Sequence, residues 1–117
     1  MKKVAIIFNH PPHGSARGRE GLDLSLALSD INQISIFFIN NGVFHLLENQ
    51  QPDKILLRDY IATFGMLELY DIENIYICQQ SLIERKIDRL PHVIDGALVD
   101  KQTIVKLLAD HNAIIQF

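Results

Sequence analysis

Val4-Ala5-Ile6-Ile7-Phe8 is an unbroken apolar run, and Asn9 and His10 end it abruptly. Five apolar residues without polar alternation predict a strand buried on both faces, the kind found inside parallel sheets. Pro11, Pro12 and Gly14 break the chain immediately afterwards. Ile34-Ser35-Ile36-Phe37-Phe38-Ile39 repeats the pattern with more β-branched and aromatic residues, and Ile75-Tyr76-Ile77-Cys78 is a third, shorter run. Between the first two runs, Arg17 to Asp30 places Leu22, Leu26 and Ser29 on one stripe, and Leu24, Ala27, Leu28 and, just beyond, Ile31 on another. Two apolar stripes predict a helix buried over much of its surface.

The rest of the chain fills in around this frame. Asn40-Asn41-Gly42 is a turn signal, and Val43 to Leu47 fits a short helix. Asn49 to Pro52 reads as a polar loop, and Asp53 is a candidate cap for the next helix. Leu57, Tyr60, Ile61, Phe64 and Leu67 lie at helical spacing, so a helix is expected over Arg58 to Leu69. Ser81 to Lys86 predicts another helix, and Val93 to Val99 a weaker strand interrupted by Asp95-Gly96. Asp100 is placed to cap a helix with Ile104, Leu107, Leu108 and His111 on one face. Ala113 to Phe117 is expected to be the last strand. The order β-α-β-α-α-β-α-β-α-β predicts an α/β fold: a single-domain three-layer sandwich with a mainly parallel five-stranded sheet and helices on both faces. All 117 residues are expected in that one domain, without a linker, repeat or low-complexity tract.

Composition narrows the function. Formal net charge is −3, and the short basic pairs Arg17 with Arg19 and Arg85 with Lys86 have acids close by. That balance argues against direct binding of nucleic acid by this chain alone. The hydrophobic fraction is 48%, high enough that part of it is expected on a surface that a partner covers. One cysteine, Cys78, allows no internal disulfide and favours a reducing compartment. The amino-terminal apolar run is too short for a signal peptide, and no stretch approaches the ~20 apolar residues of a membrane span. A soluble, cytoplasmic location is expected.

Few residues point to chemistry. The loop His10 to Gly21 joins a strand to a helix at the carboxyl edge of the sheet, where open α/β folds bind ligands and helix amino termini attract anions. Its glycines fit neither nucleotide-phosphate motif, so a turn that lets the helix pack close is the plainer reading. His10 and His13 lack convergent partners, because His45, His92 and His111 sit in unrelated segments; neither a metal nor a cofactor is expected, and the histidines read as loop and surface residues. Cys78 ends a predicted strand just before a predicted helix, whose dipole would favour a thiolate able to accept sulfur as a persulfide. A lone cysteine is also one of the most often buried residue types, and the structural reading is favoured over the reactive one.

Three stretches carry a resemblance. They are Pro12-His13-Gly14 with Gly18 to Asp23, then Phe37-Phe38-Ile39 through Asn41-Gly42-Val43-Phe44 with Leu46-Leu47, and Arg58-Asp59-Tyr60-Ile61-Ala62-Thr63-Phe64. The last runs on through Leu69-Tyr70-Asp71-Ile72-Glu73 to Cys78, Ser81-Leu82 and Glu84-Arg85. In this order they resemble the TusC, or DsrF-like, subunits of the DsrE-fold superfamily over nearly the whole chain. The resemblance implies a flavodoxin-like, DsrE-like fold without a flavin. It implies TusB-like and TusD-like partners in a heterohexamer, a dimer of heterotrimers. That complex would relay persulfide sulfur from a TusA-like donor to a TusE-like acceptor, towards 2-thiolation of the wobble uridine in tRNA. In the family the sulfur-accepting cysteine is assigned to the TusD-like chain, so the resemblance implies a non-enzymatic partner here, with Cys78 a candidate sulfur carrier only. The apolar helix face of Tyr60, Phe64 and Leu67 is the candidate interface. A small-molecule or anion-binding flavodoxin-like module, using the first loop and Asn40-Asn41-Gly42, is the reading independent of the resemblance.

Overall fold

A computed structural model describes residues 2–11, 17–46, 72, 74–90 and 96–117, the side chains of 17–19 excepted. The apolar runs form the strands β1 (Lys2–Phe8), β2 (Asn32–Phe38) and β3 (Asn74–Cys78). Two shorter strands, β4 (Ala97–Val99) and β5 (Ala113–Gln116), complete a five-stranded sheet in the order β4-β3-β2-β1-β5. Every strand pair is parallel, with Ile6 beside Ile36 and Ile115, and Phe37 beside Tyr76. β1 and β2 lie in the interior of the sheet, which is why their sequences show no polar alternation.

Among the described residues the helices are α1 (Arg17–Leu28), α2 (Gln79–Glu84) and α3 (Lys101–Ala109), with a 3-10 helix over Asn40–Leu46. The chain steps from β1 to β4 in one direction across the sheet, and only the β4–β5 step reverses it. Right-handed crossovers therefore set α1 and α2 on one face and α3 on the other. The two cores agree with this. Val4, Ile6, Phe8, Ile34, Ile36, Phe38, Ile75 and Ile77 pack with Leu22 of α1, Val43 and Leu46 of the 3-10 helix and Leu82 of α2. On the opposite face Ala5, Ile7, Phe37 and Cys78 pack under Ile104 of α3, with Leu107 and Leu108 half-buried beside it.

Several expected boundaries move. The helix expected over Arg17 to Asp30 ends at Leu28, and its second apolar stripe reaches the core only in part: Leu24 and Leu28 pack against it half-buried, while Ala27 is exposed and Ile31 is 73% exposed. The deepest face is instead Gly21, Leu22 and Ser25. Gly21 permits the approach, since a Cβ there would lie 2.8 Å from atoms of the Phe8 and Phe117 rings. The buried Ser25 hydroxyl is satisfied within the helix by donating to the Gly21 carbonyl at 2.7 Å. The turn and short helix expected after β2 are one 3-10 helix, entered through Asn40 at φ 50°. The strand expected from Val93 is seen from Ala97, and 91–95 lie outside the described residues. The helix expected over Arg58 to Leu69, with Asp53 and the Asn49–Pro52 loop, also lies outside them.

Candidate functional site

The carboxyl edge of the sheet brings together the end of β1, the 3-10 helix, and the β3–α2 corner. Asn40 is the hinge of this edge. Its amide N–H donates to Ser81 Oγ at 2.9 Å, and its side-chain amide donates to Asn9 Oδ1 at 2.9 Å. Asparagine suits a positive φ better than most residues because its short polar side chain bonds locally. Arg85 ties the next position down: its Nε donates to Asn41 Oδ1 at 3.0 Å, and Nη1 donates to the Ser81 carbonyl at 3.2 Å. Glu84 lies 3.6 Å from Arg85 and 3.7 Å from Lys101, linking α2 to the start of α3.

Cys78 stands at the corner where β3 becomes α2, with φ −71° and ψ 110°, and its side chain makes no capping hydrogen bond. Sequence placed it at this strand-to-helix corner, and the structure agrees. Its environment is apolar: Cys78 is 1% exposed, in the core formed by Ala5, Ile7, Phe37 and Ile104. A thiol in such a setting packs as a small hydrophobe, and sulfur transfer at it would require it to become accessible first.

The amino terminus of α3 is filled by the protein's own groups. Asp100 accepts the Thr103 N–H at 2.7 Å, and Gln80 Oε1 accepts the Lys101 N–H at 2.8 Å. The Thr103 hydrogen bond holds the Asp100 carboxyl below its ordinary range. At the far end of α3, Lys3 Nζ donates to Asp110 Oδ2 at 2.7 Å, which lowers the Asp110 carboxyl likewise.

One histidine departs from expectation. His45, read as a loop or surface residue, is 2% exposed and its ring meets Phe8 edge-on at 5.3 Å. It sits there because its Nε2 is within 2.8 Å of the His10 carbonyl, which can only accept, so Nε2 carries the proton. The Val43 and Leu46 positions flanking it are also buried, a helical signal that pulls residue 45 inward. His111 is half-buried, its Nδ1 2.6 Å from the Leu107 carbonyl and its ring edge-on to Phe37 at 5.8 Å. Among the described residues no three His, Cys, Asp or Glu side chains converge to hold a metal. His13, His92 and the interface candidates Tyr60, Phe64 and Leu67 lie outside the described residues. Apolar exposure appears elsewhere, at Ile83, Leu98, Val105 and Ile114. Val105 was recoverable from sequence, since it falls off the helix face of Ile104, Leu107 and Leu108.

Comparison with known proteins agrees with this architecture. The sequence model of the DsrE/DsrF-like family matches residues 2–117. TusC proteins of Escherichia coli O157:H7 and Shigella flexneri are each 45% identical over 119 aligned positions, covering all of both chains. The crystal structure of the ychN protein from E. coli superposes with a TM-score of 0.82 over the whole of both chains at 19% identity, which speaks to the fold.

Proposed function

Because the chain belongs to the DsrE/DsrF-like family across residues 2–117, we propose that it is a TusC-type partner subunit of a sulfur-relay complex and carries no sulfur itself. One DsrE/DsrF-like domain over 1–117 would pack against TusB-like and TusD-like chains in a dimer of heterotrimers. The complex would pass persulfide sulfur from a TusA-like donor towards a TusE-like acceptor and the 2-thiolation of wobble uridine in tRNA. Full-length similarity to TusC supports the assignment to this system. The observation that carries the non-catalytic role is the burial of Cys78, 1% exposed beneath Ile104. Apolar side chains left in solvent, such as Val105 at 67%, fit a chain that works inside an assembly. No helix among the described residues is long and apolar enough to cross a membrane, which suits a cytoplasmic partner.

The test is a Cys78→Ala chain assembled with its partner subunits and assayed for tRNA thiolation. The rate should stay within about twofold of the wild type, since the variant keeps the corner and removes only the sulfur. A loss beyond about tenfold in a correctly assembled complex would overturn the reading.

A second reading makes Cys78 a direct carrier, favoured by its place at the strand-to-helix corner. The thiolate would attack the outer sulfur of the donor's persulfide, form a Cys78 persulfide, and release the donor thiolate. Mass spectrometry of the complex after exposure to a persulfurated donor separates the two: a gain of about 32 daltons on the Cys78 peptide that a thiol reductant removes supports transfer, since a sulfinic acid of the same nominal mass would persist. The anion-binding alternative draws little support at Asn40-Asn41-Gly42, where the Asn40 N–H and Asn41 Oδ1 are engaged by Ser81 and Arg85, and residues 12–16 of the first loop lie outside the described residues.

A further inference from the structure

We draw no further inference here: the strongest candidate, the sheet face that α3 alone covers among the described residues, where Val105 and Ile114 are exposed, carries nothing because nothing in the structure shows what covers it.

Discussion

Cys78 and Gly42 show how much one position can depend on its neighbours. Cys78 packs in a hydrophobic cluster with Ala5, Ile7, Phe37 and Ile104, so the customary serine substitution confuses two effects. A serine hydroxyl there would lose water, at a cost of about 1–3 kcal/mol unless it accepts a first-turn amide of α2, whose N-cap position it would occupy. Cys78→Ala should lose only about 1 kcal/mol, by removing a small apolar atom. Urea unfolding of the two variants should therefore rank alanine as the more stable. The opposite order would mean that the buried site offers a hydrogen bond to an oxygen. Gly42 is constrained by backbone rather than by side chains: a Cβ would overlap the Phe8 carbonyl, whose oxygen accepts the Ile39 N–H at 3.1 Å. Gly42→Ala should destabilise by at least about 2 kcal/mol, because neither backbone segment can give way without breaking the sheet edge. Asn-Asn-Gly announces a turn, but nothing local in that tripeptide says which carbonyl the glycine must approach. Likewise Cys78 could be assigned to a corner from sequence, whereas its burial depends on Ile104, whose contact is made only by the folded chain.

At the scale of the element, α3 is the most informative case. Its cap was legible, since Asp100 precedes a stripe of apolar residues and the carboxylate does bond the third amide. Its orientation was legible too: Ile104 is 5% exposed and Val105 67%. Ile104→Ala should cost about 2–4 kcal/mol, and Val105→Ala should change stability by no more than about 0.5 kcal/mol in the isolated chain. Paired thermal melts would check this. Acid acts on both ends of the helix. Asp100 and Asp110 are held below their ordinary range when folded, so their contribution is complete above that range and is lost as pH falls through the lowered values. Protection of the α3 amides, taken relative to the intrinsic rate that itself slows in acid, should fall below about pH 4, while protection in β1 changes less. Asp100→Asn should remove part of that acid sensitivity, because asparagine caps as well as aspartate without titrating; an unchanged pH profile would show that the cap is not what titrates. The first helix was harder to read. Leucine spacing points to two core stripes, and Leu22, Leu24, Leu26 and Leu28 do pack on the core, but the close approach to the rings of Phe8 and Phe117 also puts Gly21 on the inner face. Hydrophobicity alone ranks leucine ahead of glycine, so such a face is hard to see without knowing what stands opposite.

For the molecule as a whole, the continuous apolar runs gave away the sheet because interior parallel strands are shielded on both sides. Strand order was not legible, since β2–β3 pairing and β1–β5 pairing leave the same mark on the sequence. The subunit role makes its prediction at this scale. The chain expressed alone should self-associate in sedimentation experiments at micromolar concentration, and co-expression with its partner chains should yield a defined assembly; a well-behaved monomer would count against an obligate partner. The position of β5 has a consequence of a different kind. Asn112 and Phe117 hydrogen-bond back to Lys3 and Ile7, so one side of β1 is completed by residues made more than a hundred peptide bonds later. During vectorial synthesis, then, an inner strand waits as an open template until β5 has been made. For a time the ribosome-bound nascent chain displays the sort of edge that finished proteins conceal, and the arrival of β5 is what retires it.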